Sequence, residues 1–224
     1  LKKLFSLGII FLLFASTFLT FIPPIEAQNS SNEVVIFFDD FESYQVGSFP
    51  TEGGWQLVKD GMGKEHQKIV DTISVSGTKS LQLRGEASIG GNTLTRRPFI
   101  SSSPIIGYEV YVYIDEIKKY SWPSVGFGVS AMVSFRDDGK IYAWYVEWPY
   151  VTSKEIGTYS SKSWYKIKVL LNRDTKTYDV WVNDIFKATN LVPLEGVWEN
   201  DEFRSFRGYS APLTLSSGVS DVRV

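Results

Sequence analysis

The run IIGYEVYVYID, Ile105 to Asp115, changes character at every residue. Tyr108, Val110, Val112 and Ile114 fall on one side of an extended chain, and Glu109, Tyr111 and Tyr113 on the other. A period of two is the signature of a β-strand with one face buried. The same rhythm appears in KSLQLRG, which puts Leu81 and Leu83 together, and twice more in segments joined by tight turns. In AMVSFRDDGKIYAWYVEW the turn is DDGK. In WYKIKVLLNRDTKTYDVWVND the polar residues Asn172 to Lys176 separate two strands. Tyr165, Ile167, Val169 and Leu171 then share a face, as do Tyr178, Val180 and Val182. Asn183-Asp184 forms a further two-residue turn into IFKAT, because Asn and Asp tolerate the positive φ that such turns need. VVIFF, Val34 to Phe38, is expected to be the first strand. No stretch of a dozen residues has helical periodicity, although YIDEIKKYSW has room for one or two turns before Pro123. Strands joined by short turns, with no helices between them, predict two antiparallel sheets packed face to face.

Aromatic residues make up 15% of the chain, which suits pleated, half-buried strands. Lys2 and Lys3 precede an apolar stretch that ends at Pro23-Pro24, and Ala27 closes a plausible cleavage site. Residues 1–27 are therefore expected to be a cleaved signal peptide or an uncleaved membrane anchor. Either one exports the remainder, giving a secreted or cell-surface domain that meets a membrane only through that segment. Residues 28–33 are expected to be a flexible leader, and 34–224 a single domain. Asn29-Ser30-Ser31 fits a glycosylation acceptor. With no cysteine, disulfides, thiolate metal sites and cysteine nucleophiles are excluded. The single histidine, His66, excludes a multi-histidine zinc site and reads as a solvated loop residue. A net charge of −2 with mixed signs gives no basic stripe for nucleic acid.

Four segments, in order, carry a resemblance: DDFESYQVGSFPTEGGW, VSGTKSLQLRG, WYKIKVLLNRDTKTYDVWVND and LTLSSGVSDVRV. The series resembles the concanavalin A-like lectin/glucanase superfamily, in particular its laminin-G-like exported members, over about Val34 to Val224. The resemblance implies an all-β fold, a two-sheet antiparallel jelly-roll β-sandwich, with the terminal strands side by side. It also implies a range of roles, from carbohydrate-binding modules and lectins to glycoside hydrolases, polysaccharide lyases and adhesion domains. Fold alone does not choose among these.

The laminarinase-like hydrolases of that superfamily carry three acids at alternate positions of one strand. Here Asp40 and Glu42 lie two apart, but Tyr44 stands at the third position. Glu147 is alone, Asp115 and Glu116 are adjacent, and Glu199, Asp201 and Glu202 lie in a polar, loop-like run. His66 does not match the pattern of the alginate-lyase-like branch. No catalytic residue is assigned, and a glycoside hydrolase or polysaccharide lyase stands as the alternative. A structural envelope or adhesion protein is a second alternative.

For binding, sugar C–H faces stack on aromatic rings, and polar side chains serve the hydroxyls. The expected ligand face comprises Glu109, Tyr111, Tyr113, Asp179 and Trp181, set against a polysaccharide, a glycan or a cell-surface protein. In IYAWYVEW either face could be the buried one, and Trp144 and Trp148 rank below Trp181 as accessible rings. Trp164 reads as a structural residue at a strand start. If the terminal strands pair, Asp39, Asp40 and Glu42 approach Asp221, and oxygen ligands at such a corner suit a structural calcium ion. Strand-end capping is the competing account of these acids.

Overall fold

The computed structural model describes residues 34–85, 93–128 and 130–194, together with the backbone of three C-terminal strands at 202–207, 213–216 and 219–220. The expected leader segments 1–27 and 28–33, and Asp221, lie outside the described residues. Sixteen strands follow in chain order. The first five are β1 (Phe38–Asp39), β2 (Gln56–Asp60), β3 (Lys68–Val70), β4 (Ser80–Leu83) and β5 (Thr93–Pro98). Next come β6 (Ile105–Ile114), β7 (Pro123–Phe127), β8 (Ala131–Phe135), β9 (Lys140–Glu147) and β10 (Tyr150–Thr158). The last are β11 (Trp164–Asn172), β12 (Thr177–Val182), β13 (Ile185–Leu191), β14 (Glu202–Arg207), β15 (Leu213–Ser216) and β16 (Val219–Ser220). Two short 3-10 turns, at Thr51–Gly53 and Lys64–His66, are the helical elements among the described residues.

The strands form two antiparallel sheets. One has nine strands, in the order β13-β12-β11-β6-β15-β4-β3, with β16 bridging β6 and β1. The other has seven, in the order β10-β9-β8-β7-β14-β5-β2. This is an all-β jelly-roll sandwich. Its terminal strands pair, Phe38 opposite Ser220 and Asp39 opposite Val219. The expected first strand is shorter than VVIFF suggests. Phe38 and Asp39 form its ladder and Val35 makes an isolated bridge, while Val34 and Val35 are exposed and Ile36 and Phe37 pack on the core.

The alternation seen in the sequence is the core. Tyr108, Val110, Val112 and Ile114 of β6 are buried, as are Ile167, Val169 and Leu171 of β11 and Tyr178, Val180 and Val182 of β12. Opposite them lie Val125 and Phe127 of β7, Val133 and Phe135 of β8, and Ile141 and Ala143 of β9. The turn at Asn183-Asp184 takes positive φ at both residues, 51° and 62°. Gly139 does the same at 77° in DDGK.

Two tyrosines cross this core and bond backbone on the other sheet. The Tyr108 hydroxyl lies 3.3 Å from the Val125 carbonyl and 3.4 Å from that of Ala131. The Tyr178 hydroxyl donates to the Trp144 carbonyl. Burial raises the pKa of both hydroxyls above the ordinary tyrosine value, so they stay neutral donors. The ladder of β9 with β8 ends at Ala143. Beyond it, Tyr178 takes the Trp144 carbonyl, and the Val146 amide donates to the Val192 carbonyl at 2.8 Å. A buried backbone group left unpaired is costly, so these two contacts carry β9 past the end of its neighbour. Tyr178→Phe should lower stability by about 1–3 kcal/mol in urea denaturation, the cost of an orphaned buried acceptor.

Candidate functional site

The face of the seven-stranded sheet turned away from the core is organised by Arg136-Asp137-Asp138, which follow β8. The Arg136 guanidinium lies 4.0 Å from the ring centroid of Tyr142, 4.7 Å from that of Trp144 and 5.2 Å from that of Trp122. Trp122 and Trp144 also approach each other, with centroids 6.2 Å apart. The two aspartates hold the ring edges. Trp122 Nε1 lies 3.4 Å from Asp137 Oδ1, and the Tyr142 hydroxyl donates to Asp138 Oδ2 at 2.8 Å. The bond to Asp138 raises the Tyr142 hydroxyl above its ordinary pKa, so it remains protonated. Asp137 also accepts the Tyr120 amide at 2.6 Å, and Asp138 accepts the Lys140 amide at 3.0 Å.

Below the rings the sheet carries small hydroxyl residues. Ser124 and Ser134 sit directly opposite one another, and both are buried. Trp144 Nε1 donates to Ser134 Oγ at 2.7 Å, which places Trp144 on this face. Arg136 Nη2 donates to Ser153 Oγ at 2.8 Å, while its buried Nε has no hydrogen-bond partner among the described residues. At the far side of the sheet, Arg96 Nε donates to Gln56 Oε1 at 2.7 Å. The site is thus aromatic at β9 and polar at β2 and β5.

The residues expected from alternation to form the ligand face do share one face, that of the nine-stranded sheet. Strand pairing sets Glu109 against Lys168, Tyr111 against Lys166, and Trp181 against both Lys168 and Phe186. Their polar groups are engaged with one another. Lys166 Nζ lies 3.0 Å from Glu109 Oε1 and 2.9 Å from Asp184 Oδ1. Burial opposes the lysine's charge, but the bonds to Asp184 and Glu109 outweigh it and raise its pKa. Asp179 accepts the Asn190 amide at 3.0 Å. Tyr113 stacks on Trp164, and Trp181 meets the edge of Phe186, each pair with centroids 5.2 Å apart. Trp164 does begin a strand, as expected.

The ranking of tryptophans is corrected. Among the described tryptophans only Trp148, at 84%, and Trp122, at 42%, are exposed, while Trp181 and Trp144 are half-buried. Trp148 stands at the tip of the β9–β10 hairpin, where no core lies within reach. Trp122 shows no alternation of its own, because it precedes β7 in an irregular segment. Nothing next to it in the sequence marks it, since the aspartate it meets lies 15 positions on.

The acids at the start of the domain build a hydrogen-bonded corner. Asp39 is buried and accepts from the Phe41 amide at 2.9 Å, the Tyr44 hydroxyl at 2.6 Å and Trp55 Nε1 at 2.6 Å. Burial, and then the bond to Asp39, push the Tyr44 hydroxyl well above its ordinary pKa. Asp40 accepts the Glu42 amide at 3.0 Å. Glu42 accepts from the Thr78 amide, the Thr78 hydroxyl and the Lys79 amide at 2.7–2.8 Å. Lys79 Nζ binds the carbonyls of Glu42 and Tyr44. Most of the lone pairs that a calcium ion would need are engaged. No group of three or more His, Cys, Asp or Glu suited to a metal occurs among the described residues. His66, expected to be a solvated loop residue, closes the Lys64–His66 3-10 turn and is half-buried, 3.6 Å from Glu65.

No protein-family model matches the chain, and no curated protein matches it. Solved structures do match its fold. One is a sialidase, at TM-score 0.62 and 11% identity over 85% of this chain, which spans 18% of the sialidase chain. Another belongs to work on endo-acting O-glycanases with which human gut bacteria initiate mucin breakdown, at TM-score 0.58 and 13% identity, covering 85% of this chain and all of that one. A third is the catalytic domain of a glycoside hydrolase family 131 protein from Coprinopsis cinerea, at TM-score 0.54 and 9% identity, covering 84% and 93%. At these identities the likeness is one of fold, the jelly-roll sandwich.

Two outcomes follow from the corner. Asp39→Ala should cost about 2–4 kcal/mol in urea denaturation, because it strips an acceptor from three buried donors. Hydrogen bonds from Thr78 and Lys79 hold Glu42 below the ordinary value of 4.5. A lowered folded-state pKa means that its stabilising contribution is present above that value and is lost as pH falls through the lowered one. The protection factors of the Thr78 and Lys79 amides, which correct for the intrinsic slowing of exchange in acid, should therefore be high at neutral pH and fall as pH drops through the lowered value. In Glu42→Gln the acid step should disappear.

Proposed function

We propose that this is an exported, non-catalytic glycan-binding domain whose site is the outer face of the seven-stranded sheet, around Trp122, Tyr142, Trp144 and Arg136. The observation that carries this reading is the three-ring cluster gathered on one guanidinium, with its edges tied by Asp137 and Asp138. Pyranose rings offer flat C–H faces to such aromatics, and hydroxyls that suit carboxylates, serines and arginine N–H groups. Rings already held in place lose little freedom when a ligand arrives, which favours affinity. The face of the nine-stranded sheet supports binding less well, since its ions pair internally and its rings stack on each other. That the same sandwich fold occurs in a sialidase and in glycan-degrading proteins is consistent with a carbohydrate partner.

The test is affinity electrophoresis of the full chain through gels containing β-1,3-glucan, β-1,4-glucan, xylan, polygalacturonate, alginate or mucin. Retardation in one of these gels is expected, with no release of reducing ends on prolonged incubation. Trp122→Ala should weaken that binding about tenfold, equivalent to roughly 1.4 kcal/mol, while Trp181→Ala leaves it intact. Loss on Trp181→Ala with Trp122→Ala silent would move the site to the nine-stranded sheet. Uniform migration through every gel would remove the glycan reading.

A further inference from the structure

The ring cluster on the seven-stranded sheet carries charges of both signs, and they are not evenly satisfied. Every cation in the two segments that build it, 116–122 and 136–144, already has a partner. Arg136 has Trp122, Tyr142 and Trp144 against it, its Nη2 donates to Ser153 Oγ, and its Nε is buried. Lys140 Nζ is paired with Glu155 at 2.7 Å and Lys118 Nζ with Glu116 at 3.1 Å, while Lys119 Nζ lies over the Tyr120 ring. Asp137 and Asp138 form no ion pair among the described residues. Asp137 accepts from the Tyr120 amide and the Trp122 indole, and Asp138 from the Lys140 amide and the Tyr142 hydroxyl. A carboxylate has about four acceptor sites, so both keep lone pairs for a ligand, and Asp138 is exposed.

Resting on the glycan reading above, we infer that the ligand of this face is an uncharged glycan whose hydroxyls donate to Asp137 and Asp138, and that acidic sugars are rejected there. Hydrogen bonds from hydroxyls to carboxylates are shorter and about twice as strong as neutral ones. The carboxylate of a uronate or sialate meets the same two aspartates as a like charge. The guanidinium at the centre offers it little, since rings lie against it and its Nε is buried. A cationic sugar fares no better. Aromatic rings with carboxylates at their edges suit an ammonium ion, but the cation among these rings is Arg136 itself. Selection of this kind rests on a repulsive element as much as on an attractive one.

The test compares polymers that share a backbone and differ in charge. They are hydroxyethyl against carboxymethyl β-1,4-glucan, the same two derivatives of β-1,3-glucan, and methyl-esterified against de-esterified polygalacturonate, with glycol chitosan as the cationic sugar. Binding to the full chain is measured by titration calorimetry at low salt and in about 0.5 M NaCl, which screens like-charge repulsion. For the backbone that binds, the uncharged member should bind about tenfold more tightly at low salt, and high salt should close most of that gap. Asp138→Asn should weaken the uncharged member and strengthen the acidic one. An acidic polymer or glycol chitosan bound as tightly as the uncharged polymers, and lost on Trp122→Ala, would overturn the inference while leaving glycan binding in place. A gap unchanged by salt or by Asp138→Asn would be steric and would overturn it as well. Failure of every polymer to bind, or binding indifferent to Trp122→Ala, would overturn both this inference and the site on which it rests.

Discussion

A strand that outruns its neighbour must find other partners for its backbone, and β9 does so with a tyrosine from the opposite sheet. The Tyr178 hydroxyl reaches across the core to the Trp144 carbonyl, where the ladder to β8 has stopped. Burial keeps that hydroxyl protonated, so it can donate to the carbonyl. One hydrogen bond thereby joins the two sheets and fixes the residue whose ring lies on the outer face. Packing inside and the placement of a ring on the outer face share a peptide unit. Displacing Tyr178 would shift the position of Trp144 as well as weaken the core.

A second constraint acts where the chain enters the sandwich. Strand β1 is two residues long and contributes little ladder of its own. Its closure depends on Asp39, a buried carboxylate with three donors around it. Charge-assisted hydrogen bonds are about twice as strong as neutral ones. A single aspartate can therefore secure Phe41, Tyr44 and Trp55, which pack as one aromatic group with centroids about 6 Å apart. The loop that follows is tied to the β3–β4 connection through Glu42 and Lys79, so the entry segment is held from two directions.

These features differ in how far they can be read from sequence. The strands and hairpins of β6, β8, β9, β11 and β12 are legible because alternation is a local property, and burial on one face enforces it. Which side of β9 faces inward is not local. Both of its faces carry aromatics, and the choice is settled by Val133 and Phe135 across the ladder and by Ile156 and Tyr159 packing from beyond. The gathering of Glu109, Tyr111, Tyr113, Asp179 and Trp181 on one face is legible for the same reason as the strands. The pairing of Glu109 with Lys166, and the Lys168 ammonium over Trp181, are not, since they depend on cross-strand register. The acids Asp39, Asp40 and Glu42 read either as a calcium corner or as strand-end caps. In the fold their partners are N–H and O–H groups, contributed by residues up to 37 positions away.

The Arg136 cluster shows why register matters for the outer face as well as for the core. Trp122, Arg136, Tyr142 and Trp144 come from three strands or their ends, and no window of the sequence contains a motif that joins them. Arginine suits the hub because its flat, delocalised charge stacks on several rings at once, which a lysine ammonium does less well. Once it is placed, the rings cannot collapse onto one another, and each aspartate beside it holds a ring edge. Geometry set in this way is established during folding, before any ligand is present. The outer face of an all-β sandwich can in this way hold a fixed ring cluster, because alternate side chains of one strand, Tyr142 and Trp144, point the same way.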